Sequence, residues 1–258
     1  MKKTFNKEVR LLNTIIFAHR GASKLAPENT MPAFELAYEM GADGIETDVQ
    51  LTKDNMPVLI HDENVRRTTN GTGFVQDYTL KEIQKLDAGS WFSAHYSNTS
   101  IISLEQFLTW AKDKKLKINI ELKNNVINYK DLEEIVYKQL TKFNMINRTV
   151  ISSFNSDSIK KLHKLDQNLT TAFLTSQKMK DLPTYAKRLG AAGLHIRYRI
   201  LSNSLVKKAN KQGLYVATYT VNRPTQIMRC FKQGCHALFT DVPNVAIETR
   251  ELYQRKNS

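Results

Sequence analysis

TVISSFNSDSIKKLHKLDQNLTTAFLTSQKMKDLPTYAKRLGAAGLHIRY, residues 149–198, switches its hydrophobic period again and again. TVISSF (149–154), TTAFLT (170–175) and GLHIRY (193–198) are short runs rich in β-branched and aromatic residues, the composition of strands. Between them, SDSIKKLHKL and DLPTYAKRLG space their apolar residues three and four apart, as one face of a helix requires. The second ends on Gly190, a helix stop signal. A strand, a helix and another strand at this spacing leave no place for a tight hairpin. Successive strands therefore run parallel, each joined to the next by a helix packed on the sheet.

The same alternation extends outward in both directions. TIIFAH (14–19), GIETDVQL (44–51) and LKINIELK (116–123) precede the stretch, and LYVATYTV (214–221) and HALFTD (236–241) follow it, which makes eight strands. MPAFELAYEM, SLEQFLTWAKD, YKDLEEIVYKQLTKF, NSLVKKANKQG and RPTQIMRCFKQG supply further helices. Eight such units in 258 residues predict an α/β fold closed into a (β/α)8 barrel, a TIM barrel, forming one domain over residues 1–258. The competing architecture, an open doubly wound sheet, would be marked by G-x-G-x-x-G after the first strand, and that pattern is missing there. One irregularity interrupts the repeat. After an extra strand, PVLIH (57–61), a loop-rich insertion spans about residues 62–102, with one short helix near TLKEIQKL. In a barrel, an insertion at this end of a strand lies over the mouth where active sites are built.

The bulk composition narrows the chemistry less. Hydrophobic residues are 41% and charged residues 24%, ordinary for a globular protein. The net charge of +13 attracts anions without choosing among phosphoesters, polymers and acidic surfaces. The densest basic patch, residues 112–117, reads as a helix end, where cations suit the dipole. Basic residues are otherwise spread along the chain, so nucleic acid is not an expected partner. Cys230 and Cys235 form no C-x-x-C pattern and read as idle thiols. The run LLNTIIFA near the N-terminus is too short and broken for a bilayer span, and is read as the first strand. A cytoplasmic protein without membrane insertion is expected. The sequence is compatible with a homo-oligomer. The C-terminal YQRKNS reads as a frayed tail.

Polar residues at the C-terminal ends of barrel strands are candidates for catalysis. Glu46 and Asp48 lie two apart on one strand and so share a face. Glu121 adds a third carboxylate on a neighbouring strand, with Lys123 on the same face. Adjacent carboxylates repel unless a cation joins them, and hard divalent ions such as Ca2+ or Mg2+ take oxygen ligands. A rim of salt bridges is the simpler alternative. Two nearby histidines favour the metal. His19 and His61 each close an apolar strand and open a polar loop, and imidazole can both take and give a proton near neutrality. Arg20 carries the planar fork that matches a phosphate, and Lys123 a compact charge. His95, His163, His195 and His236 are expected to be structural.

The segment HRGASKLAPENTMPAFELAYEMGADGIETDVQLTKDNMPVLIHD, followed by NGTG, SLEQFL, NIELK, ATYTVN and FTDVP, closely resembles the glycerophosphodiester phosphodiesterases from about residue 15 to 245. The resemblance implies a (β/α)8 barrel that hydrolyses glycerophosphodiesters, such as glycerophosphocholine, to sn-glycerol 3-phosphate and an alcohol. It implies that His19 and His61 are the catalytic pair and that Arg20 and Lys123 contact the phosphate. It assigns Glu46, Asp48 and Glu121 to a divalent cation, Ca2+ or Mg2+. Tyr219 stands where many members carry Trp, so the aromatic wall of the substrate pocket differs there. A lysophospholipase D acting on acylated phosphodiesters, and a non-catalytic barrel binding phosphoesters or teichoic acid, are the competing readings.

Overall fold

A computed structural model describes residues 14–256 of the chain. The elements alternate from the start: β1 (Ile15–His19), α1 (Met31–Glu39), β2 (Gly44–Leu51), then a short β3 (Pro57–Leu59). The insertion contains only the brief α2 (Leu80–Ile83) and single helical turns before α3 (Leu104–Ala111). Regular alternation then resumes with β4 (Lys117–Leu122), α4 (Leu132–Lys142), β5 (Thr149–Ser153), α5 (Ser156–Leu165), β6 (Thr170–Thr175) and α6 (Leu182–Arg188). It finishes with β7 (Gly193–Arg197), α7 (Asn203–Lys211), β8 (Tyr215–Tyr219), α8 (Pro224–Lys232), β9 (Ala237–Thr240) and α9 (Pro243–Arg255).

The parallel strands pair in the order β1-β9-β8-β7-β6-β5-β4-β2, and β1 also pairs β2, so the sheet closes into a TIM barrel. β3 folds back antiparallel on β2 and stands outside the ring. Helix starts are capped where the sequence supplies a short polar side chain: Ser103 for α3, Asn155 for α5 and Ser202 for α7. β2 is buried along its whole length, between the barrel lumen on one side and the helices on the other. Val65, Val75, Ile83, Ala88 and Ile101 of the insertion form a small core with Val58 and Ile60 of the preceding segment, which fixes the insertion on the barrel rim.

Two sequence expectations need correction, and a third is met only in part within the described residues. The C-terminal YQRKNS is helical as far as Arg255, because α9 docks on the barrel: the Tyr253 ring packs 5.7 Å from Phe231, and Arg250 pairs with Asp43. Asp43 in turn accepts the Ile16 amide at 2.7 Å, tying this last helix to the first strand. Only three residues of α9, Pro243, Ala246 and Thr249, are buried, too narrow a stripe to stand out as a period. The basic patch 112–117 is not a helix end throughout, since α3 stops at Ala111 and Lys117 already opens β4. Of the run LLNTIIFA, Ile15 to Ala18 lie in β1, while Leu11, Leu12 and Asn13 lie outside the described residues.

Candidate active site

The register of the first strands sets the site. His19 sits beside Glu46 across β1 and β2, and Asp48 beside Glu121 across β2 and β4. Ligand oxygens of Glu46, Asp48 and Glu121 lie within 4.8 Å of one another. All belong to the C-terminal mouth of the barrel.

His19 ends β1, and its Nδ1 donates to Asp241 Oδ1 at 2.7 Å. A carboxylate can only accept, which fixes the proton on Nδ1 and leaves Nε2 for chemistry. Asp241 is held in turn by Asn222 Nδ2 at 2.6 Å and Ser23 Oγ at 3.2 Å. Burial opposes the charged imidazole of His19, but the nearby Glu46 and the bond to Asp241 outweigh it and raise its pKa. Burial likewise opposes ionisation of Asp241, yet His19 and its other donors hold it at about 2.

His61 follows β3 and repeats the arrangement: its Nδ1 meets Asp62 Oδ1 at 2.5 Å. Arg67 bridges outward from there, with Nε on Asp62 Oδ2 at 2.5 Å and both terminal nitrogens on Glu28 at 2.8 Å. Glu28 also accepts Arg20 Nη1 at 2.9 Å. The PENT segment thus links the two histidine-bearing loops. Its Asn29 donates to Asp48 Oδ2 at 2.9 Å and accepts from Thr47 at 2.8 Å.

Arg20 and Gly21 turn the chain sharply out of β1, with φ of +58° and +82°. The Arg20 amide donates to Glu46 Oε2 at 2.9 Å, and its Nε lies 3.2 Å from Asp48 Oδ2, misaligned for a hydrogen bond and therefore a Coulombic contact. A Cβ on Gly21 would meet the Ala33 backbone at 2.6 Å. Gly21→Ala is therefore expected to destabilise the fold by about 2–4 kcal/mol, from the left-handed backbone and the overpacking together. Urea unfolding measures it; a loss below about 0.5 kcal/mol would show that the turn relaxes freely.

The acids are not in equal states. Burial, reinforced by Asp48 beside it, pushes the Glu46 carboxyl upward. Asp48 is also buried, but Arg20, Lys123 and His61 overcome that and hold it well below the usual carboxylate range. Lys123 Nζ lies 2.9 Å from Glu121 Oε1 and 3.9 Å from Asp48 Oδ1. Burial would lower its pKa, yet Glu121 and Asp48 raise it, so Lys123 stays cationic. Asp48 Oδ1 is fully enclosed and accepts no hydrogen bond. An orphaned, ionised carboxylate oxygen among two other acids is what a hard divalent cation would complete.

A cleft of about 520 Å³ opens above this cluster, lined by His19, Arg20, His61, Glu121, Lys123 and, on its far side, Tyr219 with the end of β7 and the turn after it. The Tyr219 ring stands edge-on to Phe154 at 6.1 Å. Every site residue expected from the sequence is therefore at this mouth, with Glu46 and Asp48 at its base. His195 is turned to the opposite end of the barrel, where it meets Tyr215 Oη at 3.2 Å and packs on Phe239. The partners Asp241, Asp62, Glu28, Asn29 and Arg67 were not singled out from the sequence. The only available signal was their place inside the motifs around His61, PENT and FTDVP.

A profile described as the glycerophosphoryl diester phosphodiesterase family matches residues 19–245. The chain is 41% identical over 236 residues to a protein of Caldanaerobacter subterraneus subsp. tengcongensis named glycerophosphodiester phosphodiesterase, covering 92% of this chain and 97% of that one. It is 42% identical over 235 residues to the uncharacterized protein YqiK of Bacillus subtilis, covering 90% and 97%. Among solved structures, it superposes with a TM-score of 0.85 and 28% identity on an Oleispira antarctica phosphodiesterase in complex with the product sn-glycerol-3-phosphate, covering 92% and 96%.

Proposed function

The chain belongs to the glycerophosphoryl diester phosphodiesterase family, and from that premise we propose that it hydrolyses glycerophosphodiesters, such as glycerophosphocholine and glycerophosphoethanolamine, to sn-glycerol 3-phosphate and an alcohol. His19 and His61 move the protons in this reading, and Glu46, Asp48 and Glu121 hold Ca2+ or Mg2+. The observation that carries it is the pair of Nδ1-anchored imidazoles facing one cleft over a buried triad of carboxylates.

Each imidazole is held by a carboxylate at Nδ1 and has Nε2 left to exchange a proton with substrate. One takes the proton of the attacking oxygen, and the other returns a proton to the leaving alcohol. The same two transfers serve whether water attacks directly or a glycerol hydroxyl first closes a cyclic phosphate. Arg20 and Lys123 line the cleft and supply donors toward phosphoryl oxygens. Glu28 and Asp48 restrain the Arg20 guanidinium, so it meets substrate in a preset orientation. When bound by the three acids, the cation supplies neutralisation of charge developing on the phosphoryl group.

The competing lysophospholipase D reading requires an apolar docking surface near the mouth. Trp91 is exposed in the insertion and stacks edge-on with Phe92, which keeps an acylated substrate in the test. No helix among the described residues is long and apolar enough to cross a membrane. Incubation with glycerophosphocholine, glycerophosphoethanolamine and the acylated counterpart, with detection of sn-glycerol 3-phosphate from the deacylated substrates and of the released head-group alcohol from all three, separates the readings. Release of sn-glycerol 3-phosphate from the deacylated substrates is expected. Its absence for all of them in the presence of Ca2+ or Mg2+ would overturn the proposal.

A further inference from the structure

The catalytic residues occupy only one side of the cleft. Around the ring, β7 lies diametrically across from β2: β4, β5 and β6 separate them one way, and β1, β9 and β8 the other. β7 ends in Arg197, and the helical turn Tyr198–Ile200 that follows carries Arg199. Both arginines are exposed and line the same cleft as His19 and His61.

These arginines differ from the other cations of the site. Arg20, Arg67 and Lys123 are each paired with carboxylates. Among the described residues, no ion pair or side-chain hydrogen bond forms at Arg197 or Arg199. Glu121 is the one carboxylate lining the cleft, and it is already engaged by Lys123. Opposite Arg197 in the β7–β8 register stands Tyr219, whose hydroxyl is buried without a hydrogen-bond partner. Gln226 adds an amide to the same wall. The far rim therefore presents unused donors and uncompensated positive charge. On an open surface such arginines would be solvated and of little effect. Within a cleft, charge of one sign is focused, and a guanidinium fork matches an oxyanion in two places.

We propose that Arg197 and Arg199 form a subsite for a second anionic group carried by the leaving alcohol, a phosphate ester or carboxylate beyond the scissile phosphate. The preferred substrates are then glycerophosphodiesters with a negatively charged head group rather than the choline ester. This inference rests on the hydrolytic reading above and narrows its substrate class.

The test compares two substrates that differ in one group: glycerophosphoglycerol, and the same compound bearing a phosphate on its distal glycerol. Wild-type kcat/KM is expected to be about tenfold or more higher for the phosphorylated twin, the scale of a charge-assisted hydrogen bond. In the double variant Arg197→Gln, Arg199→Gln that ratio is expected to collapse toward one. A wild-type ratio near one, or a ratio the double variant leaves intact, would overturn the subsite. No sn-glycerol 3-phosphate from either twin would overturn the hydrolytic reading itself, and the subsite with it, an outcome distinct from equal turnover of both.

Discussion

Alanine in place of His19 or of His61 is expected to lower turnover of a glycerophosphodiester by ~10²–10⁴, the contribution of a positioned acid or base. Neither change should unfold the protein, because both rings reach the cleft and neither fills the apolar core. The urea midpoint of each variant separates loss of chemistry from loss of fold. Asp241→Asn refines the assignment, because Asp241 works through His19 rather than on substrate. Its carboxylate, together with Glu46, raises the His19 pKa. Removing that charge lowers the pKa, so the limb of the kcat/KM profile that titrates with His19 is expected to move to lower pH. A structural role alone would lower the rate without moving the limb. Near-wild-type turnover in His19→Ala or His61→Ala would remove that histidine from the mechanism.

The barrel was legible because its strands and helices alternate at short range. TTAFLT and GLHIRY need only their own composition to read as strands, and β6 and β7 fall within them. The convergence of the candidate site residues was legible for a similar reason: His19, Glu46, Asp48 and Glu121 each lie on a strand, and closure of the barrel carries those strands together. What supports them was hidden. Asp241 is 222 positions from the histidine it orients, and Glu28 meets Arg67 across 39 positions. Such pairings are set by ring closure and by the path of the insertion, and no local period reports them. α9 was missed because it buries few side chains and is held by Arg250 and Tyr253, polar or amphipathic groups that read as surface. Arg197 at the end of β7 and Arg199 in the turn after it were written in the sequence as two charges among many. Only the ring order puts them across the mouth from the acids.

Removal of divalent cations is expected to bring turnover to background, with Ca2+ or Mg2+ restoring it, and the physical reason lies in the charge of the triad. Three buried acids face Arg20 and Lys123, and Asp48 Oδ1 is left with no hydrogen-bond donor. Two fixed cations do not balance three carboxylates, and burial, with Asp48 and Glu121 beside it, pushes the Glu46 carboxyl upward. An ion that binds only the folded chain adds about 2.7 kcal/mol of stability at a hundredfold excess over its Kd. For a domain of this size, that corresponds to a rise in Tm of roughly 5–10 °C. The thermal shift is a readout independent of activity. Asp48→Asn should abolish most of it, since the amide removes the charge at the centre of the triad while keeping its shape. Full activity in excess chelator, together with a Tm indifferent to Ca2+ and Mg2+, would leave the triad as a network of salt bridges with Arg20 and Lys123. The charge developing on phosphorus would then have to be met by those two cations alone.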